Sequence, residues 1–198
     1  LATLAPLVDK PDAGAEVLAL AAEARRLNGE PRAAQAVLDR LGRLQPTDPR
    51  LRTMVAVAGF GRGDDAPVFD ALARIAADTP DTSADLAIFH AHMARSQHRE
   101  ALKTLAQLER KLPQDATPAQ LRGQVQMAMR QPAQARQSFA QALALQPGHG
   151  PSVLALSALD VREGQAAQAR QRLADAVKAD PRNATARLAL AEVLQHQQ

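Results

Sequence analysis

The chain contains no cysteine, tryptophan or tyrosine, and its only aromatics are Phe60, Phe69, Phe89 and Phe139. Without cysteine, its 198 residues hold neither a disulfide nor a thiolate metal site. That absence leaves the compartment open, because a stack of helices needs no covalent staples. Aromatic and β-branched strand formers are scarce, which argues against a sheet. No uninterrupted apolar run comes near the roughly 18 residues that cross a bilayer, so no membrane span is expected. The sequence opens on Leu1 rather than methionine and contains no signal peptide, which predicts a piece of a longer protein whose targeting segment lies upstream. The net charge is only +3, with 9 basic residues against 5 acids after residue 115 and no dense basic run. That distribution reads as a solvated, arginine-rich surface, and nucleic acid is not an expected partner.

What the sequence has in quantity is alanine and leucine, both strong helix formers, so the expected fold class is all-α. A fixed internal period organises them. Pro46, Pro80, Pro113, Pro147 and Pro181 are spaced by 34, 33, 34 and 34 residues. Twelve residues before each stand Ala34, Val68, Ala101, Ala135 and Ala169; eight before, Leu38, Leu72, Leu105, Phe139 and Leu173; five before, Leu41, Ile75, Leu108, Ala142 and Ala176. Offsets of three to four residues place these columns on one helical face that has to be buried. The closing proline stops the helix, because it has no N–H for the hydrogen-bond ladder. Gly29, Gly63 and Gly164, with Ser96 and Arg130 in the equivalent places, mark a turn inside each repeat, and Pro31, Pro67 and Pro132 begin the helix after it. First helices are expected over 15–28, 50–61, 83–95, 117–130, 151–163 and 184–197, second helices over 31–44, 66–78, 98–111, 132–145 and 166–179. Residues 1–10 read as the second helix of a preceding repeat.

This helix pair, with alanine, a large apolar residue, alanine and proline in register, resembles the tetratricopeptide repeat. Pro132–Pro147 (PAQARQSFAQALALQP) matches best and Gly164–Pro181 next. The resemblance implies a superhelical solenoid of antiparallel helix pairs, about 12 helices in all. Its parts would be a half repeat over 1–14, full repeats over 15–48, 49–81, 82–115, 116–149 and 150–183, and a half repeat over 184–198. The family's usual tryptophan and tyrosine are missing. Gly123 keeps the small residue expected in mid-helix, with Ala22, Ala56, Ser157 and Ala191 as substitutes, whereas Phe89 departs from it and predicts loosened or shifted packing in the third repeat.

A narrower resemblance rests on Glu100–Gln114 (EALKTLAQLERKLPQ), Leu121-Arg122-Gly123, Ala135–Pro147, Lys178–Asn183 (KADPRN) and Leu188–Leu194 (LALAEVL). These stretches are similar to the tetratricopeptide lipoprotein of bacterial exosortase (PEP-CTERM) systems. That likeness implies a periplasm-facing, envelope-anchored scaffold assisting exopolysaccharide production and protein sorting. The alternatives are a self-assembling structural module or a generic cytoplasmic adaptor.

In such arrays the first helices line a concave groove that takes extended peptides or partner helices. By family register this implies Glu16, Glu23, Arg26, Arg50, Thr53, Val57, His90, Met93, Gln120, Gln124, Met127 and Arg162 as groove residues. The groove would be charged at its N-terminal end, with amides and adaptable methionines in the middle. None of these positions is lysine, which disfavours the family's clamp for a terminal carboxylate. Truncated ends near Leu4, Leu7, Leu190 and Leu194 would expose apolar faces through which two copies could pair.

Catalytic and cofactor chemistry finds little to stand on, and no enzyme activity, cofactor or metal is expected. Met54–Asp65 (MVAVAGFGRGDD) has the look of a strand entering a phosphate loop. However, Gly59, Gly61 and Gly63 alternate, and Asp64 stands where the third glycine of a dinucleotide fingerprint belongs. The segment also falls in register as a helix end and its turn. His90 and His92 are two apart, about 200° around a helix, and no carboxylate in helical register completes a metal set with them and His98. Asp64 and Asp65 sit where carboxylates cap a helix start. Nothing marks a nucleophile turn for a serine–histidine–acid triad.

Overall fold

A computed structural model describes Lys10 and residues 12–195. The expected helix over 1–10, with Leu4 and Leu7, lies outside these apart from Lys10. The described residues form eleven α-helices and no strand: α1 Ala15–Leu27, α2 Pro31–Arg43, α3 Pro49–Val57, α4 Ala66–Asp78, α5 Ser83–Ala94, α6 His98–Lys111, α7 Thr117–Ala128, α8 Pro132–Leu145, α9 Gly150–Arg162, α10 Ala166–Ala179 and α11 Ala184–Gln195. Ten follow the expected spans to within two residues at either end. The exception is α3, which stops at Val57 rather than running to 61. Gly59 N–H and Phe60 N–H reach back only three residues, to Ala56 and Val57 O, so the backbone tightens into turns there.

The chain divides into two compact units, Leu1–Ala91 and His92–Gln198. In the first, α1 packs on α2, α2 on α3, α3 on α4, and α1 also on α3. In the second, each helix from α6 to α11 packs on its neighbour in sequence, and α9 also on α11. Contacts of this kind belong to serially stacked hairpins.

The repeating columns form the core. Of their fifteen residues, all but Leu38, Val68 and Ala176 are buried, and those three are half-buried. Small residues let helices close on one another, as where Ala142 of α8 meets Ala116 and Ala119 at the start of α7. Among the described glycines the closest approach is at Gly123, where a Cβ would stand 2.4 Å from the Phe139 ring. At the equivalent place in the third repeat Phe89 is 2% exposed and meets the His90 ring edge-on at 5.2 Å.

Four of the inner turns share one construction. Glu30, Gln97, Gln131 and Gln165 N–H bond to the carbonyls five residues back, of Arg25, His92, Gln126 and Asp160, at 2.7–2.9 Å. The residue before each is left-handed: Gly29 (φ +74°), Ser96 (+56°), Arg130 (+58°) and Gly164 (+75°). This is the Schellman ending of a helix. Ser96 and Arg130 therefore do occupy the glycine position, at roughly 1 kcal/mol of strain each. The second repeat differs, for its left-handed residue is Gly61 (φ +75°) rather than Gly63, because α3 ends early.

A further column emerges at the turns between repeats. Asp48 Oδ1 accepts from Arg50 and Leu51 N–H, Asp81 Oδ1 from Ser83 N–H, Asp115 Oδ1 from Thr117 N–H, and Asn183 Oδ1 from Ala186 N–H, at 2.7–3.3 Å. With His149 these positions are 33, 34, 34 and 34 residues apart. Each starts a first helix by satisfying N–H groups that have no partner within it. His149 is the odd member, its Nδ1 paired with Ser152 Oγ at 2.9 Å and no side-chain cap on the helix amides. Burial pushes its pKa below the ordinary 6.5, partly offset by Asp115. The unfolded chain thus binds the extra proton more readily, and His149 costs stability as pH falls through 6.5. His149→Asn is expected to restore the cap, adding about 0.5–1 kcal/mol at neutral pH, and to flatten the loss between about pH 7.5 and 5.5. Urea unfolding at both pH values checks both effects.

Candidate functional site

The residues expected to line a groove all lie on or beside first helices, but differ in access. Glu16, Arg26, Val57, His90, Gln124 and Arg162 are exposed, and Glu23, Met93 and Met127 are partly so. Arg50 is exposed too, with its guanidinium 3.3 Å from Asp81. Glu23 and Arg26 neutralise each other across one turn of α1, at 2.5 Å, and this hydrogen bond holds the Glu23 carboxyl below its ordinary pKa. Thr53 and Gln120 are buried and present no surface. The cause is visible at Thr53, whose hydroxyl bonds Pro49 O and meets Ser83 Oγ of the next first helix at 3.2 Å. At Thr53 the fifth position of the repeat turns toward the neighbouring first helix.

In the C-terminal unit the described structure opens a cavity of about 450 Å³ walled by α9 and α11, with Leu173 of α10 in its lining. Leu154, Ala158, Val161 and Arg162 face it from α9, and Glu192 and Val193 from α11. Leu154, Ala158 and Val161 share with Arg162 the fifth, ninth, twelfth and thirteenth register positions of the fifth repeat, and Glu192 is the ninth of the half repeat. The signal that finds them is the register already used for Arg162, applied to aliphatic residues. Val161 is 45% exposed, an aliphatic side chain at the mouth of an apolar hollow. Arg162 makes no ion pair among the described residues, and Glu192 likewise makes none.

The wall is anchored from behind. Asp160, two residues from both Ala158 and Arg162, points to the opposite side of α9 and is completely buried. It receives Arg136 of α8 at 2.6 Å and Arg172 of α10 at 3.1 Å, and Arg136 also reaches Glu163 at 2.9 Å. The hydrogen bond to Asp160 raises the Arg136 pKa further. One repeat earlier, the same columns hold a neutral pair, Ser138 Oγ donating to Gln126 Oε1 at 2.7 Å, with Arg122 tying Ser138 to Glu109 and Gln141.

The rival sites take other forms. Met54–Val57 are helix, and the glycine-rich turn after them is closed by Asp65, whose carboxylate accepts Gly61 N–H at 2.9 Å. Asp64 accepts Ala66 N–H at the start of α4, so of the two acids it is Asp64 that caps. Gly59 is needed for close approach, since a Cβ there would stand 2.9 Å from Val68. His92 Nδ1 pairs with Gln97 at 2.8 Å, and among the described residues no three histidines or acids gather as a metal set. Ser152, His149 and Asp115 bring a serine, a histidine and an acid into one neighbourhood, but Ser152 is wholly buried at the start of α9. No helix among the described residues is long and apolar enough to cross a membrane.

Sequence comparison finds the tetratricopeptide repeat family over residues 126–193. No curated protein matches the chain. Among solved structures it is similar to a thermophilic tetratricopeptide repeat protein of Thermus thermophilus (22% identity, TM-score 0.65, covering 92% of this chain and 100% of that one). It is also similar to MamA of Desulfovibrio magneticus (18%, 0.59, 86% and 97%) and to a tetratricopeptide repeat protein of Parabacteroides merdae (14%, 0.59, 90% and 72%). Residues 126–193 thus carry tetratricopeptide repeats by sequence, and the chain has the all-helical tetratricopeptide-like fold.

Proposed function

We propose that this chain is a non-enzymatic scaffold that binds a peptide or helix of a partner protein, with the hollow between α9 and α11 as its principal contact. The observation that carries this reading is an apolar cavity on the register positions that the tetratricopeptide fold generally uses for protein interactions. Its rim carries one cation and one anion, which suits a segment with an aliphatic anchor, an acid beside Arg162 and a base beside Glu192. Peptides selected from a random library should carry that pattern. Val161→Asp, at an exposed position, should weaken them about 10- to 100-fold, the loss of one buried aliphatic contact. Arg162→Glu should invert the preference for the flanking acid. Selected peptides indifferent to both changes would refute the site.

The finer reading follows from the resemblance to exosortase-linked lipoproteins: one continuous array over 1–198, anchored in the envelope outside this segment and serving exopolysaccharide production and protein sorting. Export of the native protein, assayed by fractionation, tests the compartment. The alternative of self-assembly through Leu190 and Leu194, the latter exposed, predicts a mass that grows with concentration in light scattering. A concentration-independent monomer would exclude it.

A further inference from the structure

Stacked repeats leave a recurring hollow on the side of the second helices, and two of these differ sharply in charge. In the N-terminal unit a cavity of about 490 Å³ is lined by Gly42 of α2, Arg52 and Val55 of α3, and Ala71, Arg74 and Ile75 of α4. In the C-terminal unit, residues 101 positions later enclose about 480 Å³: Leu143, Val153, Arg172, Asp175 and Ala176 stand for Gly42, Arg52, Ala71, Arg74 and Ile75. The fold therefore makes the hollow without dictating what lines it. In the C-terminal copy the single arginine is already committed to buried Asp160 at 3.1 Å, and Asp175 and Asp180 make the lining acidic. In the N-terminal copy both charged residues are arginines, and the lining has no acid. Among the described residues neither guanidinium makes a hydrogen bond or ion pair, although Asp70 and Asp78 lie one turn to either side of Arg74. Nor does either cap the carbonyls at the end of α2, which would be their nearest internal use.

We propose that the hollow between α2, α3 and α4 binds an oxyanion carried on a small apolar body, with Arg52 and Arg74 as the anion contacts and Val55, Ala71 and Ile75 as the apolar floor. Guanidinium groups hold carboxylate and phosphate through paired N–H donors, and the volume falls within the range of small-ligand pockets. This site is independent of the peptide groove, on other helices and in the other unit.

The test is titration of the full chain, followed by amide chemical shifts, with n-hexyl phosphate, hexanoate and, as a cationic counterpart, hexyltrimethylammonium. Either anion should shift the Gly42, Val55 and Ile75 amides while leaving Leu143 and Ala176 unmoved. Tighter binding of the phosphate would identify a phosphomonoester as the natural group, and equal or tighter binding of hexanoate a carboxylate. Arg74→Asp, an exposed change to the residue found in the other hollow, should lower affinity at least tenfold with the fold intact. Arg52→Val combined with it should abolish binding. Failure of both anions to shift those amides at millimolar concentration would overturn the assignment. So would equal binding of the ammonium, or undiminished binding by Arg74→Asp.

Discussion

Asp160→Asn is expected to destabilise the C-terminal unit by about 2–4 kcal/mol, read as a lower urea midpoint with an unchanged slope. The carboxylate is fully buried and receives Arg136 and Arg172, whose side chains are 28% and 23% exposed. Removing the anion leaves two cations facing each other across a site that excludes water on one side. Their partial exposure is why the loss falls at or below the usual cost of breaking a buried pair rather than above it. A charge-free variant serves as the control. The triple change Asp160→Leu, Arg136→Met, Arg172→Met removes the charges together with the cost of desolvating them, and should recover most of the loss. A triple variant as unstable as Asp160→Asn would mean that the ion cluster contributes more than its own desolvation. Because α9 also walls the proposed groove, Asp160→Asn should weaken peptide binding along with stability, whereas Val161→Asp should affect binding alone.

Gly123→Ala should lower stability by up to about 2 kcal/mol, against the direction that helix propensity alone predicts. Alanine in mid-helix is worth roughly 1 kcal/mol more than glycine. Here the added methyl would meet Cε1, Cδ1 and Cζ of Phe139 at 2.4–2.7 Å. The ring has little freedom to withdraw, being 2% exposed and packed with Ala135, Leu156 and Leu159, and overpacking of this kind costs roughly 1–3 kcal/mol. Phe139→Leu, which installs the residue that the other repeats carry in that column, should lose its own packing energy. It should also turn Gly123→Ala from harmful to neutral or favourable. A double-mutant cycle by thermal or urea unfolding measures the coupling, and additive effects would show that the ring is not what excludes the methyl.

The helices were legible because their signal is redundant: three apolar columns and a proline recur five times, so that one weak repeat is read by its neighbours. Where the expected pattern and the structure part, features peculiar to one repeat override the pattern. The end of α3 is followed by a turn in which Gly59 leaves room for Val68, a Cβ there standing 2.9 Å from it, and Asp65 folds back onto Gly61. Neither contact has a counterpart in the other repeats from which it could be inferred. Thr53 and Gln120 fell outside the exposed set because family register tells which way a side chain points but not how near the next helix comes. The apolar hollow and the capping column were both present in the sequence. Leu154, Ala158 and Val161 pass as ordinary helix residues until a gap is seen beside them, and Asp48, Asp81, Asp115 and Asn183 stand one or two positions after the prolines already counted. The buried role of Asp160 had no local mark at all, since its partners lie 24 residues before it and 12 after.

The capping residues stand at the seams between one helix pair and the next. A gene segment copied from seam to seam, such as that from Asp115 to Gly148, would therefore bring with it the side chain that launches its own first helix. Lengthening by tandem copying then requires no new initiation signal, and the array can grow by a whole turn of its pattern at a time. His149, a seam residue with neither a carboxylate nor an amide, is where such a copy would begin less securely.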